Sequence, residues 1–228
     1  MGEIVEFPSN GHTGQGYLAV PDSGSGPGVI VIQEWWGLVP HIKDVVDRFA
    51  AEGFVALAPD LYRGETTTEP DEAGKLMMAL NLEQAGKDMS GAVDHLRSLD
   101  AVTSTGVGVI GFCMGGGLAM MLGTQRPDAV TAVAPFYGII PWESAEPDWS
   151  KLQARVRGHF AAEDGFFGPE KVADLQHRLQ DLGKDADFIV HAGADHAFFN
   201  DTRPEVYDPE ASAEAWADTL AFFRQHVV

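Results

Sequence analysis

A single cysteine, Cys113, in 228 residues rules out an intramolecular disulfide and suits a reducing compartment. Basic residues are scarce too: 15 Lys and Arg stand against 34 Asp and Glu, a formal net charge of −19. A chain this acidic is repelled by phosphate backbones and anionic bilayer surfaces, so neither nucleic acid nor membrane is an expected partner. The opening residues, Met1 to Glu6, lack the basic start and apolar run of a signal peptide, and Glu6 stands where N-myristoylation needs Ser or Thr. No apolar run is long enough to span a bilayer. Together these absences predict a cytoplasmic protein. There is no solenoid repeat and no low-complexity tract. The turn-rich stretch from Pro21 to Pro27 is too short to separate two domains.

What is present reads as one packed domain over residues 1–228. Hydrophobic residues make up 45% and charged residues 21%, close to the globular average, so a core is expected. Short strand-like segments recur: residues 28–33 (GVIVIQ), 54–58 (FVALA), 105–112 (TGVGVIGF), 129–136, 156–161 and 188–191. Each is read as a strand, and 28–33 and 54–58 have the form of strands buried on both faces. Two further strands are expected over 3–7 and 16–20. Helical spacing follows Pro40 through Ile42, Val45, Val46 and Phe49, and Gly53 stops it. More helices are expected within 60–99, from Cys113 to about Gln125, and over 169–182. A last one starts at the Asp208–Pro209 cap, with Trp216, Leu220, Phe223 and Val227 on one stripe. Strands alternating with helices predict a mostly parallel central sheet with helices on both faces. Ligands in such sheets bind beyond the carboxyl ends of the strands.

One segment there carries chemistry. Gly111-Phe112-Cys113-Met114-Gly115 leaves a buried strand and opens a helix. A nucleophile on this sharp turn is pushed out over the sheet, and the glycines leave room for its backbone. The helix N-terminus beneath favours negative charge, which draws a thiol towards thiolate. The N–H of Met114 would face a developing oxyanion. The bland alternative is a small buried hydrophobe. A nucleotide loop is excluded, because no lysine follows Gly115-Gly116-Gly117.

The nucleophile needs a base, and the base an orienting acid, in the chain order acid then histidine. His196 lies in a loop after the last strand. His159 and His191 fall on strands and His177 on a charged helix face. His196 is therefore the expected base. Asp164 follows the carboxyl end of the 156–161 strand and is the expected acid, with Glu163 as its rival. A metal centre of His159, Asp164, His191 and His196 lacks any compact ligand spacing, so neither metal nor cofactor is expected. Trp35, Trp36, Trp142, Phe166, Phe198 and Phe199 fall near the crevice and suggest a small apolar pocket, some of them serving only as packing.

Several motifs together resemble the dienelactone hydrolase family (carboxymethylenebutenolidases) of the α/β-hydrolases. They are Gln33-Glu34-Trp35-Trp36-Gly37, Ala58-Pro59-Asp60-Leu61-Tyr62, Gly111-Phe112-Cys113-Met114-Gly115-Gly116, Gly158-His159-Phe160 leading to Asp164, and His196-Ala197-Phe198. The resemblance implies a Cys113–His196–Asp164 triad, a role for Glu34 in activating the thiol, and an oxyanion hole from the N–H groups of Trp35 and Met114. The sequence departs from the family's dienelactone specialists where they grip a substrate carboxylate with two arginines. Asn200 stands at one of those positions, and Pro70 and Gly74 lie near the other; Arg63 or Arg203 would have to substitute. Trp36, Phe198, Arg63 and Asn200 are the expected substrate-binding residues. The expected partner is a small ester or lactone, and the expected assembly is a monomer or small homo-oligomer. A broad carboxylesterase or thioesterase on the same triad, and a non-catalytic thiol sensor, are the competing readings.

Overall fold

The computed structural model describes residues 1–9, 11–140, 142 and 145–228. Its strands are β1 (Glu3–Ser9), β2 (His12–Ala19), β3 (Gly26–Ile32), β4 (Val55–Pro59), β5 (Val102–Phe112), β6 (Val130–Phe136), β7 (Arg155–Ala161) and β8 (Ala186–His191). Its helices are α1 (Pro40–Ala51), α2 (Pro70–Ala79), α3 (Leu82–Ser98), α4 (Met114–Gln125), α5 (Pro169–Asp181) and α6 (Pro209–His226). The strands form one sheet in the order β1-β2-β4-β3-β5-β6-β7-β8. β2 pairs antiparallel with β1 and β4, and every later neighbour is parallel.

Helices cover both faces because the inner strands are apolar on both. In β3, Ile30 and Ile32 face one core, built with Met89, Val93 and Leu96 of α3, Leu118 of α4 and Leu179 of α5. Val29 and Val31 face the other core, with Val45 and Phe49 of α1 and Leu220 and Phe223 of α6. Alternation with period two sends neighbouring residues to opposite layers. The expected elements are all present, and their ends move by a few residues. β5 starts at Val102 because Val102 pairs with Gly26 across a register shift. Two helices occupy the 60–99 stretch.

The last helix is held where the sequence marks it. The Asp208 carboxylate accepts from the N–H groups of Glu210 and Ala211, both at 3.0 Å. Asp208→Ala is expected to destabilise the protein by about 1 kcal/mol, lowering Tm by about 2–4 °C. An unchanged melting curve would contradict the capping role.

Candidate active site

Cys113 joins β5 to α4 with φ 53° and ψ −121°, a left-handed φ that costs a non-glycine residue roughly 1–3 kcal/mol. The surrounding backbone leaves no alternative. A Cβ on Gly111 would run into the carbonyl of Gly115, and one on Gly138 into the carbonyl of Cys113 itself. The Cys113 N–H is tied to the Phe136 carbonyl at 3.0 Å. The thiol is thereby lifted into a cavity of about 320 Å³ whose walls include Glu34, Trp35, Trp36, Met77, Met114, Phe166, Phe167, His196 and Arg203. A wider surface trough of about 860 Å³, beside α3, contains none of these groups. Size alone does not locate the chemistry.

β7 and β8 deliver the other two residues to the same edge. His196 Nδ1 lies 2.8 Å from Asp164 Oδ2. Asp164 Oδ1 accepts from the N–H groups of Phe166 and Phe167 at 2.7 and 3.0 Å, so the carboxylate cannot swing away. Burial pushes the Asp164 carboxyl up, but the hydrogen bond and charge of His196 and those two amides hold it below its ordinary value. Burial likewise disfavours a charged His196. The hydrogen bonds with Asp164 and Cys113 and their charges outweigh it and push His196 up to about 10. Phe166 and Phe167 lie against the imidazole, with ring centroids at 5.1 and 6.2 Å. Glu163 is exposed and gives its backbone N–H to Ala194 at 3.0 Å. The carboxylate on His196 is Asp164.

Glu34 is 1% exposed. Asn200 Nδ2 donates to its Oε2 at 2.9 Å, and the Tyr137 hydroxyl donates to Oε1 at 3.3 Å. Neutral donors therefore solvate this carboxylate in place of water. Burial, then the charges of Glu34 and Cys113, raise the Tyr137 hydroxyl well above its ordinary value, so it stays a donor. No motif in the sequence marks Tyr137. Its place just past the carboxyl end of β6 is the signal that would have found it. Among the described residues, the N–H groups of Trp35 and Met114 have no hydrogen-bond partner within the protein.

The expected substrate-binding residues separate. Trp36 lines the cavity. Phe198 does not: it is fully buried, with ring centroids 5.3 Å from Tyr137 and 5.0 Å from His191. Ala197 takes φ 66°, and the next ring turns into the core, where an aromatic gains most. Phe199 is buried beside it. Arg63 is exposed and lines a different hollow with Asn81 and Asp88. Its neighbour Tyr62 turns inward, giving its hydroxyl to Met114 Sδ at 3.4 Å. Asn200 is 2% exposed and holds Glu34 rather than lining the thiol's cavity. Arg203 takes the wall, its guanidinium 5.7 Å from the Trp36 ring. Trp142 packs against the core on the α4 side. His159 and His191 meet each other at 3.2 Å with their rings stacked, lie at a tilt against Phe136 and Phe198, and do not join Asp164 and His196. Among the described residues no cluster of His, Cys, Asp and Glu can hold a metal ion, and no helix is long and apolar enough to cross a membrane.

This sheet order, with the sharp β5–α4 turn at its carboxyl edge, is the α/β-hydrolase fold. The model of the dienelactone hydrolase family matches residues 15–227, and the chain belongs to that family of carboxylic ester hydrolases. It is 40% identical over its whole length to the whole of Protein usf of Aquifex pyrophilus. It is 35% identical, again end to end, to a protein of Aquifex aeolicus provisionally named a carboxymethylenebutenolidase. A crystal structure of a provisionally named dienelactone hydrolase from Klebsiella pneumoniae superposes with a TM-score of 0.89 at 28% identity. That match covers 99% of this chain and 98% of that one.

Proposed function

We propose that the protein, acting as one domain over residues 1–228, hydrolyses a small ester or lactone through an acyl-thioester on Cys113. The observation that carries this reading is the placing of His196, which is bonded to Asp164 at 2.8 Å and faces Cys113 across one small cavity. The thiol gives its proton to His196, with Glu34 in the same wall as a second acceptor. Cys113 Sγ attacks the carbonyl carbon. The N–H groups of Trp35 and Met114 receive the oxyanion, each donor of this kind contributing about 10²–10³-fold. The C–O bond breaks as His196 returns its proton to the leaving oxygen.

Deacylation follows from the same electrostatics. Once Sγ is acylated, the hydrogen bond and charge that Cys113 lends to His196 are gone. The imidazole becomes easier to deprotonate and takes a proton from water, whose oxygen attacks the thioester carbon; the C–S bond then breaks, the carboxylic acid leaves, and the proton stays with the restored Cys113–His196 pair. The apolar lining of Trp35, Met77, Phe166 and Phe167 suits a small acyl group.

Rapid mixing with p-nitrophenyl acetate, followed by acid quench and peptide mass spectrometry, tests the intermediate. One acetyl group per chain on the Cys113 peptide is expected, with a nitrophenol burst of matching amplitude. Turnover without that adduct, or with the acetyl group on another residue, would overturn the reading. A panel of lactones, aryl esters and acyl thioesters then ranks the substrate types.

A further inference from the structure

Two buried imidazoles that the hydrolytic reading does not use join the strands that carry the acid and the base. His159 lies in β7 and His191 ends β8. His159 Nδ1 is 3.2 Å from His191 Nε2, and the rings stack with centroids 5.4 Å apart. Asp164 follows His159 by five residues, and His196 follows His191 by five. The pair is tied to the rest of the site as well. The His159 carbonyl accepts from the Tyr137 N–H at 2.7 Å. The His191 ring lies 5.0 Å from that of Phe198, which packs against Tyr137.

A bond between two imidazoles needs one N–H and one bare nitrogen facing each other. A neutral pair meets that condition, and so does a singly protonated pair. A doubly protonated pair does not, because both facing nitrogens then carry hydrogen and two like charges meet out of water.

The surroundings set when the second proton enters. From α6, Asp218 Oδ2 lies 3.3 Å from His159 Nε2, at an angle too oblique for a hydrogen bond, and Glu214 Oε2 lies 3.8 Å from His191 Nδ1. Arg157 of β7 reaches Asp218 and, on β8, Asp187. β6 and the segment after His196 face the pair with the rings of Phe136 and Phe198. Burial holds both histidines below the ordinary 6.5. It outweighs the pull of Asp218 and Asp187 on His159, and of Glu214, Asp208 and Asp218 on His191. Arg157 lowers His159 further, and the charge of His159 lowers His191. The pair's contribution to stability is therefore full above 6.5 and is lost as pH falls below it.

From this geometry we infer that His159 and His191 are positioning residues: their shared hydrogen holds the ends of β7 and β8 at the spacing that Asp164 and His196 need, and a second proton parts them, so that the site disengages reversibly in mild acid. The effect on rate rests on the hydrolytic reading above; the disengagement itself does not.

NMR spectra of histidine-labelled wild-type protein test it between about pH 7.5 and 4.5, a range that spans histidine titration and stays above the Asp164 carboxyl. The two rings are expected to titrate below 6.5 in two separate steps. The downfield proton on His196 Nδ1, held by Asp164, should fade with the second step and return on neutralisation. kcat/KM for p-nitrophenyl acetate should fall with it, by about tenfold per unit of pH beyond that step. His191→Gln keeps an amide that can bond His159 Nδ1 but takes no second proton, so its loss over the same range should be about tenfold smaller. His191→Phe leaves His159 Nδ1 without that partner and should be slower than His191→Gln at neutral pH. A His196 signal that persists through the second step, two rings that titrate independently, or parallel profiles for wild type and His191→Gln would each overturn the proposal. The wild-type spectra decide it even if neither variant folds. Failure of the hydrolytic reading is distinguishable, since no acetyl group would then reach Cys113 at any pH while the His196 signal would still respond.

Discussion

Cys113→Ala is expected to lower kcat for p-nitrophenyl acetate by about 10⁴-fold or more, because loss of a nucleophile removes the covalent route and leaves only binding and the oxyanion donors. The fold should survive. Alanine keeps a Cβ, so the strain at φ 53° is unchanged, and the N–H to the Phe136 carbonyl remains. The side chain lost is half-buried at a cavity wall, not packed in the core. The decisive measurement pairs steady-state hydrolysis with a thermal melt. Near-wild-type turnover by a folded Cys113→Ala protein would end the covalent mechanism.

Asp164→Asn is expected to reduce kcat by about 10²–10⁴-fold, the share that general acid–base catalysis supplies. The amide oxygen can keep the N–H groups of Phe166 and Phe167. Its NH₂ then faces His196 Nδ1 in place of an acceptor. The imidazole is driven to the tautomer protonated on the nitrogen facing Cys113, which can no longer take the thiol proton. The pH dependence of stability follows from the two shifts. Asp164 is held below its ordinary 3.8, so its contribution is present above that value and is lost as pH falls through the native pKa. His196 is raised from 6.5 to about 10, so its contribution is full below 6.5 and is lost as pH rises towards 10. The Tm difference between wild type and Asp164→Asn should therefore be greatest between pH 3.8 and 6.5 and shrink above it. A difference that grew between pH 7 and 10 would show that the Asp164–His196 bond does not set the native pKa of His196.

Chain-local signals located most of this architecture. Runs such as residues 28–33 declare themselves because both faces of an inner parallel strand are covered. The Asp208–Pro209 cap is legible because its partners lie two and three residues away. The elbow is legible because Gly111, Cys113 and Gly115 answer to one turn. Phe198 and Arg63 lie away from the thiol's cavity for a common reason. Each follows a residue in a one-letter pattern that says nothing of which way the next side chain turns, and that direction was set by the backbone at Ala197 and the inward packing of Tyr62.

Sequence by itself determined the alternation of strands and helices, the acidic surface, and the three reactive residue types in their chain order. These depend on composition and on spacings within single elements. Only the tertiary structure decided that Asp164 rather than Glu163 meets His196, that Tyr137 and Asn200 hold Glu34, and that Arg203 takes the wall left by Arg63. Those pairings join residues up to 166 positions apart, and such contacts exist only once the sheet brings its strand ends to a common edge.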